Sequence, residues 1–248
     1  MIEAVSWMGR GALAAKQYDS AEKYAKEAYD LSVAELKKRP LDADPHLPLA
    51  LGAAIEVEAQ VMTAQGDRSE AVSYLERQLV AYRATSIRTR IQKNINLLSL
   101  EGKVAPPLEG ISLNRFRGKP VLLFFWAHWC SDCKADAPIL AKLKQEFEPR
   151  GLVVLGPTQK YGYVAGGEDA PPDVELRYIE QVRAKYYAAV VDAASAPVSE
   201  ENFRNYGAST TPTIVLIDRG GIVRLYHPGA MTYEELRPRI EALFSHGS

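Results

Sequence analysis

Two hydrophobic periodicities divide this chain. From Ile2 to about Ser99, apolar residues recur three and four apart. They run first as Ile2, Val5, Gly9, Ala12 and Leu13, then as Ala21, Tyr24, Ala25, Ala28 and Leu31. A third set is Ala50, Ala53, Ala54, Val57, Val61 and Ala64; a fourth is Ala71, Val72, Leu75, Leu79 and Tyr82; a short fifth is Ile87, Ile91, Ile95 and Leu98. The spacing predicts helices with one buried face, broken at Gln17-Tyr18-Asp19, between Pro40 and Pro48, and at Gln65-Gly66-Asp67. Past Val121 the texture changes. VLLFFWA (Val121 to Ala127) is a continuous apolar run too short for a buried helix, so it predicts a central strand covered on both faces. A helix over Lys134 to Glu148, a strand over Leu152 to Pro157, a helix over Pro172 to Ala188 and a short strand over Ala189 to Asp192 follow. Thr213 to Asp218 and Ile222 to His227 flank the turn Arg219-Gly220-Gly221 as an antiparallel hairpin. Thr232 and Glu235 are spaced as a capping box for a last helix with Leu236, Ile240, Leu243 and Phe244 inward. Pro238 lies far enough inside that helix to fray or bend its start.

These elements predict an α + α/β chain. An all-helical hairpin region covers residues 1–99, a linker covers 100–110, and residues 111–248 form an α/β layered unit with a mixed central sheet flanked by helices. The linker reading rests on EGKVAPPLEG (Glu101 to Gly110), whose paired prolines cannot continue a helix. In the helical region the stretch QGDRSEAVSYLERQL (Gln65 to Leu79) resembles the second helix of a tetratricopeptide unit, and KQYDSAEKYAKEAYDL (Lys16 to Leu31) echoes it. The echoes lie about 50 positions apart rather than the ~34 of a regular array. Two readings stand: an amphipathic bundle with Ala-rich faces, and stacked hairpins offering a concave surface to a peptide or protein partner.

With 248 residues and a net charge of −1, the chain can bury a sizeable core and offers no electrostatic reason to expect nucleic acid. No apolar run approaches the ~20 residues of a membrane span, and the first residues do not read as a signal peptide.

Both cysteines, Cys130 and Cys133, fall in FWAHWCSDCKADAP (Phe125 to Pro138). A C-x-x-C loop is too short for its closure to constrain the unfolded chain much, so a bond between these sulfurs would exist for chemistry. A sulfur at the start of the following helix faces free backbone N–H groups and the positive end of the dipole, which favour its thiolate. The dipole supplies at most ~2 kcal/mol, about 1.5 pKa units, so a larger shift needs direct hydrogen-bond donors. Cys130 is then the nucleophile and Cys133 the resolving thiol. Asp132, between the sulfurs, opposes thiolate formation, or serves the helix start. Asp136, three after Cys133, shares its helical face and either tunes that thiol or is a surface acid.

Strand, Trp126-Ala127-x-Trp129-Cys130-x-x-Cys133, helix, and much later Thr211-Pro212-Thr213 opening a strand resemble a thioredoxin fold. More narrowly they resemble the TlpA/ResA-like thiol–disulfide oxidoreductases of bacterial extracytoplasmic space. The resemblance runs from Pro106 to about Phe244. It includes Arg117-Gly118-Lys119-Pro120, Pro138 and YGASTTPTIVLIDRGGIV (Tyr206 to Val223). It implies a cycling Cys130–Cys133 disulfide as the redox group with no other cofactor and a cis Thr211–Pro212 bond facing the pair. It also implies protein disulfide or dithiol substrates, an upstream electron donor and an extracytoplasmic location. An acid in the place of Asp136 is linked to thiol proton transfer in such enzymes, and Asp136 is accordingly a candidate catalytic residue. Thr211, Pro212 and Trp129 are candidates for substrate contact. Thioredoxin proper buries an acid six residues before its first cysteine; Phe124 stands there in this chain, which leaves Asp136 as the candidate base.

Rival readings have less support. A peroxiredoxin needs a Thr three before its nucleophile, where Ala127 stands. A copper-binding protein of the same fold would use Cys130, Cys133 and His128, but its relatives space the cysteines by three residues. Zinc wants four ligands, and no second C-x-x-C exists. His128 itself reads as a residue capping the strand end, with charge stabilisation of the Cys130 thiolate as the rival. The loop TQKYGYVAGGEDAPP (Thr158 to Pro172) should emerge on the same sheet edge as the cysteines, either with Tyr161 or Tyr163 lining a groove or as a floppy surface insertion.

Overall fold

In the computed structural model, which describes residues 2–245, the chain divides into two compact units, one ending at Leu98 and the other starting at Ser99. The first is all helix: α1 (Ile2–Ala14), α2 (Tyr18–Leu36), α3 (His46–Ala64), α4 (Arg68–Ala81) and α5 (Arg88–Ser99). The expected breaks separate them. Helix α3 packs on α1, α2 and α4. Alanine permits this: Ala21, Ala25, Ala28, Ala50, Ala53, Ala54 and Ala71 are all buried, so no large side chain holds the backbones apart. Leu51, Ile55, Leu75 and Ile91 fill the remaining space. Helix α3, at 19 residues and a mean hydropathy of 1.2, is the one described helix long and apolar enough to cross a bilayer, against the expectation of no such run. Over half of that stretch is buried inside the unit (56%), as a core helix would be.

The second unit contains β1 (Val121–Phe125), α6 (Ser131–Phe147), β2 (Val153–Leu155), α7 (Pro172–Val182), α8 (Glu200–Tyr206), β3 (Thr213–Ile217), β4 (Val223–Pro228) and α9 (Tyr233–Leu243). The sheet order is β2-β1-β3-β4, with β1 parallel to β2 and antiparallel to β3, and β3 antiparallel to β4. This is the mixed sheet flanked by helices that the pattern predicts. The strand β1 feeds two cores by alternation. Leu122 and Phe124 join Leu140, Leu143 and Ile240 on one face; Val121, Leu123 and Phe125 join Phe203, Tyr206 and Ile217 on the other. Burial of each such side chain contributes roughly 1.5–3 kcal/mol, which explains why the run is apolar at every position.

Four local expectations differ from the structure. Ala189 to Asp192 is not a strand. After α7 the chain makes a π-helical turn over Arg183–Tyr187, and the Val190 and Val191 N–H groups both donate to the Tyr187 carbonyl, at 2.8 and 2.9 Å. Their backbone groups serve the turn while their side chains enter the core. Beyond β2 the chain meets the segment around Ser195 to Val198 instead, where Gly156 N–H donates to Ser195 O and Thr158 N–H to Pro197 O.

Residues 100–110 are not a free tether. Gly102 N–H donates to Val223 O, Val223 N–H to Lys103 O and Ala105 N–H to Gly221 O, and Leu100 and Leu108 enter the core beside Ile217. Helix α5 has already ended at Ser99, and the prolines do not release the chain: Tyr206 Oη donates to Pro106 O. Helix α8, unforeseen, starts at Ser199, whose hydroxyl accepts from Glu201 N–H, and ends at Gly207 in the left-handed region at φ +60°. Finally, α9 runs unbroken through Pro238, its start held by the Thr232–Glu235 capping box.

Candidate active site

Strand direction brings four chain segments to one edge of the sheet. The turn Trp126 to Cys130 leaves the C-terminal end of β1, and the loop from Gly156 leaves the same end of the parallel β2. Thr211-Pro212 enters the antiparallel β3, whose first residue Thr213 pairs with Phe125. Gly229 to Met231 leaves β4, with Gly229 N–H bonded to Pro212 O at 2.8 Å.

The turn after β1 is stitched to the segment after β2. Trp126 Nε1–H donates to Gly156 O at 2.9 Å and Thr158 Oγ1 to Trp126 O at 2.8 Å. A Cβ at position 156 would lie 2.9 Å from a Val191 methyl and 3.2 Å from Trp126 Nε1. Only glycine fits that approach. Trp126 is fully buried and packs 4.6 Å from the Tyr187 ring, so it is a packing residue. Phe124 packs edge-on to Tyr187.

Cys130 is the N-cap residue of α6, and its Sγ accepts a hydrogen bond from Cys133 N–H at 3.0 Å. The two sulfurs are joined in a disulfide. Cys130 keeps 3% of its surface exposed and Cys133 none, so an incoming sulfur meets Cys130 first. Trp129, 49% exposed, stands beside it. The Thr211–Pro212 peptide is cis, and the Thr211 hydroxyl oxygen is buried without a protein partner.

Asp136 is buried one turn after Cys133. Burial pushes its carboxyl up to about 6; the Met231 backbone N–H partly offsets this and the nearby charge of Asp132 adds to it. One carboxyl oxygen, Oδ2, has no protein partner. A carboxyl with this value changes charge near neutral pH, as a proton acceptor for a neighbouring thiol must.

His128 corrects both expectations held for it. The ring is buried and its Nε2 lies 3.2 Å from Oε1 of Glu175, itself buried on α7. Desolvation pushes the imidazole below its ordinary value, with Glu175 opposing the shift. Burial thus works against a positive charge on the ring beside the Cys130 site. Glu175 also accepts the N–H groups of Tyr161 and Gly162. Nothing local in the sequence marks Glu175, which lies 47 residues from His128 along the chain. The Tyr161 ring packs against both His128 and Trp129, so the loop after β2 does reach the cysteine edge. The copper reading is not favoured: His128 Nε2 is engaged by Glu175, which leaves Nδ1 as its one remaining donor. Among the described residues no cluster of three or more His, Cys, Asp or Glu side chains is arranged to hold a metal ion.

The chain is similar in sequence to known proteins. The AhpC/TSA family model matches residues 94–160, the stretch holding β1, the cysteine pair and β2. A thiol:disulfide interchange protein DsbE of Xylella fastidiosa is 30% identical over 151 residues, covering 57% of this chain and 68% of that protein. The thiol-disulfide oxidoreductase ResA of Geobacillus thermodenitrificans is 27% identical over 131 residues, covering 53% and 67%. Among solved structures, a putative thiol:disulfide interchange protein DsbE from Chlorobium tepidum superposes with a TM-score of 0.46 at 24% identity, over 58% of this chain and 97% of that one. With a paired C-x-x-C at a helix start and a DsbE relative matched over two thirds of its length, the chain belongs to the thiol–disulfide oxidoreductases of the DsbE and ResA type.

Proposed function

We propose that the chain exchanges disulfides with partner proteins, using Cys130 as the attacking sulfur and Cys133 as the resolving one. The observation that carries the assignment is the position of Cys130: at the N-cap of α6, accepting an N–H, and the one of the two cysteines that keeps exposed surface. In the reduced protein the Cys130 thiolate attacks one sulfur of a substrate disulfide. That bond breaks, and the departing sulfur leaves as a thiolate that takes a proton from solvent. Cys133 gives its proton to the Asp136 carboxylate and attacks Cys130 Sγ, closing the Cys130–Cys133 bond and expelling the second substrate sulfur. Two electrons have passed to the substrate, and a dithiol donor upstream restores the pair. Trp129 and the Thr211–Pro212 backbone flank the substrate chain, whose extended backbone can pair with that of Thr211 as in strand addition.

The direction we favour is reductive. Asp132 and Asp136 both disfavour thiolate in the dithiol form, and this lowers the reduction potential toward the roughly −270 mV of thioredoxin and away from the roughly −120 mV of DsbA. The resemblance of this site to extracytoplasmic enzymes supports an activity outside the cytoplasm. The helical unit docks the partner, raising its effective concentration beside Cys130.

Trapping tests the division of labour. Cys133→Ser should accumulate a mixed disulfide through Cys130, visible as an added mass, while Cys130→Ser should accumulate none. A trap formed on Cys133 instead would reverse the roles. Equilibration with glutathione measures the potential, and a value near that of DsbA would reverse the direction.

A further inference from the structure

Glu175 and His128 are each only 1% exposed, yet neither belongs to an apolar core by chemistry. One carboxylate gathers three donors: the His128 imidazole at 3.2 Å, the Gly162 N–H at 2.9 Å and the Tyr161 N–H. Because a carboxylate only accepts, the ring in this contact carries a proton on Nε2. Tyr161, Tyr163 and Tyr178 stand edge-on around the imidazole at 5.3–5.4 Å between ring centres. The pair thus ties together three elements that the chain separates: the turn holding Trp129 and Cys130, the loop after β2, and α7.

Packing alone does not account for such a pair. Desolvating a carboxylate costs several kcal/mol, and apolar residues of equal volume usually serve a core as well or better. What the carboxylate does that an apolar side chain cannot is hold two consecutive backbone N–H groups in a loop otherwise rich in glycine. The held residue, Tyr161, presents its ring 5.5 Å from the half-exposed Trp129 ring, next to Cys130.

We propose that Glu175, through His128 and the Tyr161–Gly162 backbone, is a positioning residue that fixes the loop after β2 as one wall of the site where a substrate polypeptide lies beside Cys130. The inference rests on the disulfide-exchange reading and adds to it a determinant of substrate choice. The wall acts on the chain flanking a substrate disulfide. A small aromatic disulfide has no such chain and is indifferent to it.

The test uses the full chain, recycled to its dithiol form by a dithiol reductant whose direct reaction is subtracted, and two disulfides: insulin as the polypeptide probe and 5,5′-dithiobis(2-nitrobenzoate) as the small one. In Glu175→Gln, one carboxylate oxygen becomes an N–H₂ group, so one of the two loop amides loses its acceptor. The ratio of kcat/KM for insulin to that for the small disulfide should fall at least fivefold, through a higher KM for insulin. A ratio within twofold of the unsubstituted protein overturns the proposal, as does a fall carried by kcat alone. If Glu175→Gln does not fold, Tyr161→Ala decides, with the same expected fall and the same overturning result. Failure of the unsubstituted protein to reduce either disulfide would instead remove the exchange reading, and this inference with it.

Discussion

Burial raises the Asp136 carboxyl from an ordinary 3.8 to about 6, and that shift has a sign for stability as well as for chemistry. Below pH ~4 the group is protonated in both folded and unfolded chains and contributes nothing. As pH rises from there to about 6 the unfolded chain releases its proton first, so stability falls; above that the cost is complete. Roughly two pH units at ~1.4 kcal/mol each bound it near 3 kcal/mol. Asp136→Asn should therefore gain stability at pH 8 and almost none at pH 4, as read by urea unfolding at both values; equal gains would contradict a buried ionising carboxyl. The same substitution should flatten the pH dependence of Cys133 alkylation. Asp136 was legible because helical periodicity puts it one turn from Cys133. His128 was not legible, since its partner Glu175 comes from α7 and no spacing rule links them.

At the level of elements, the capped final helix offers the cleanest test. Thr232 Oγ1 accepts from Glu235 N–H, and the Glu235 carboxylate accepts from Thr232 N–H at 2.8 Å. This arrangement starts α9 three residues before a buried contact at Leu236 and lets it run on through Pro238. Thr232→Ala should cost ~1 kcal/mol, lowering Tm by about 2–4 °C, while Thr232→Ser should cost little. The capping box and the β3–β4 hairpin could be read from the chain because their signals are local, as is the doubly buried β1. The stretch Ala189 to Asp192 misled because strands and buried turns show the same short apolar run. Which one forms depends on where the backbone hydrogen bonds go, and there they go to Tyr187. Helix α8 carried its own end signals, Ser199 and Gly207, but is too short for periodicity to reveal.

Across the whole molecule, each unit holds its own apolar cores: Leu51, Ile55 and Leu75 in the first, the two faces of β1 in the second. Removing residues 1–98 should leave the second unit folded, with its reduced Cys130–Cys133 pair able to reduce a small synthetic disulfide. Turnover of a protein partner should weaken if the helical unit docks it. Parallel loss of both activities would contradict the docking role. The cut belongs after Leu98 rather than after Gly110, because Gly102, Lys103 and Ala105 hydrogen-bond with Gly221 and Val223.

By itself the chain's pattern determined the helical and α/β halves, the central strand and the thiols at a helix start. Each of these follows from residue types a few positions apart. Only the tertiary structure decided that His128 turns to Glu175, that residues 100–110 join the second unit and that the loop after β2 lies against Trp129. Those outcomes depend on which buried polar groups find partners, and the partners lie tens of residues away, where no local spacing records them.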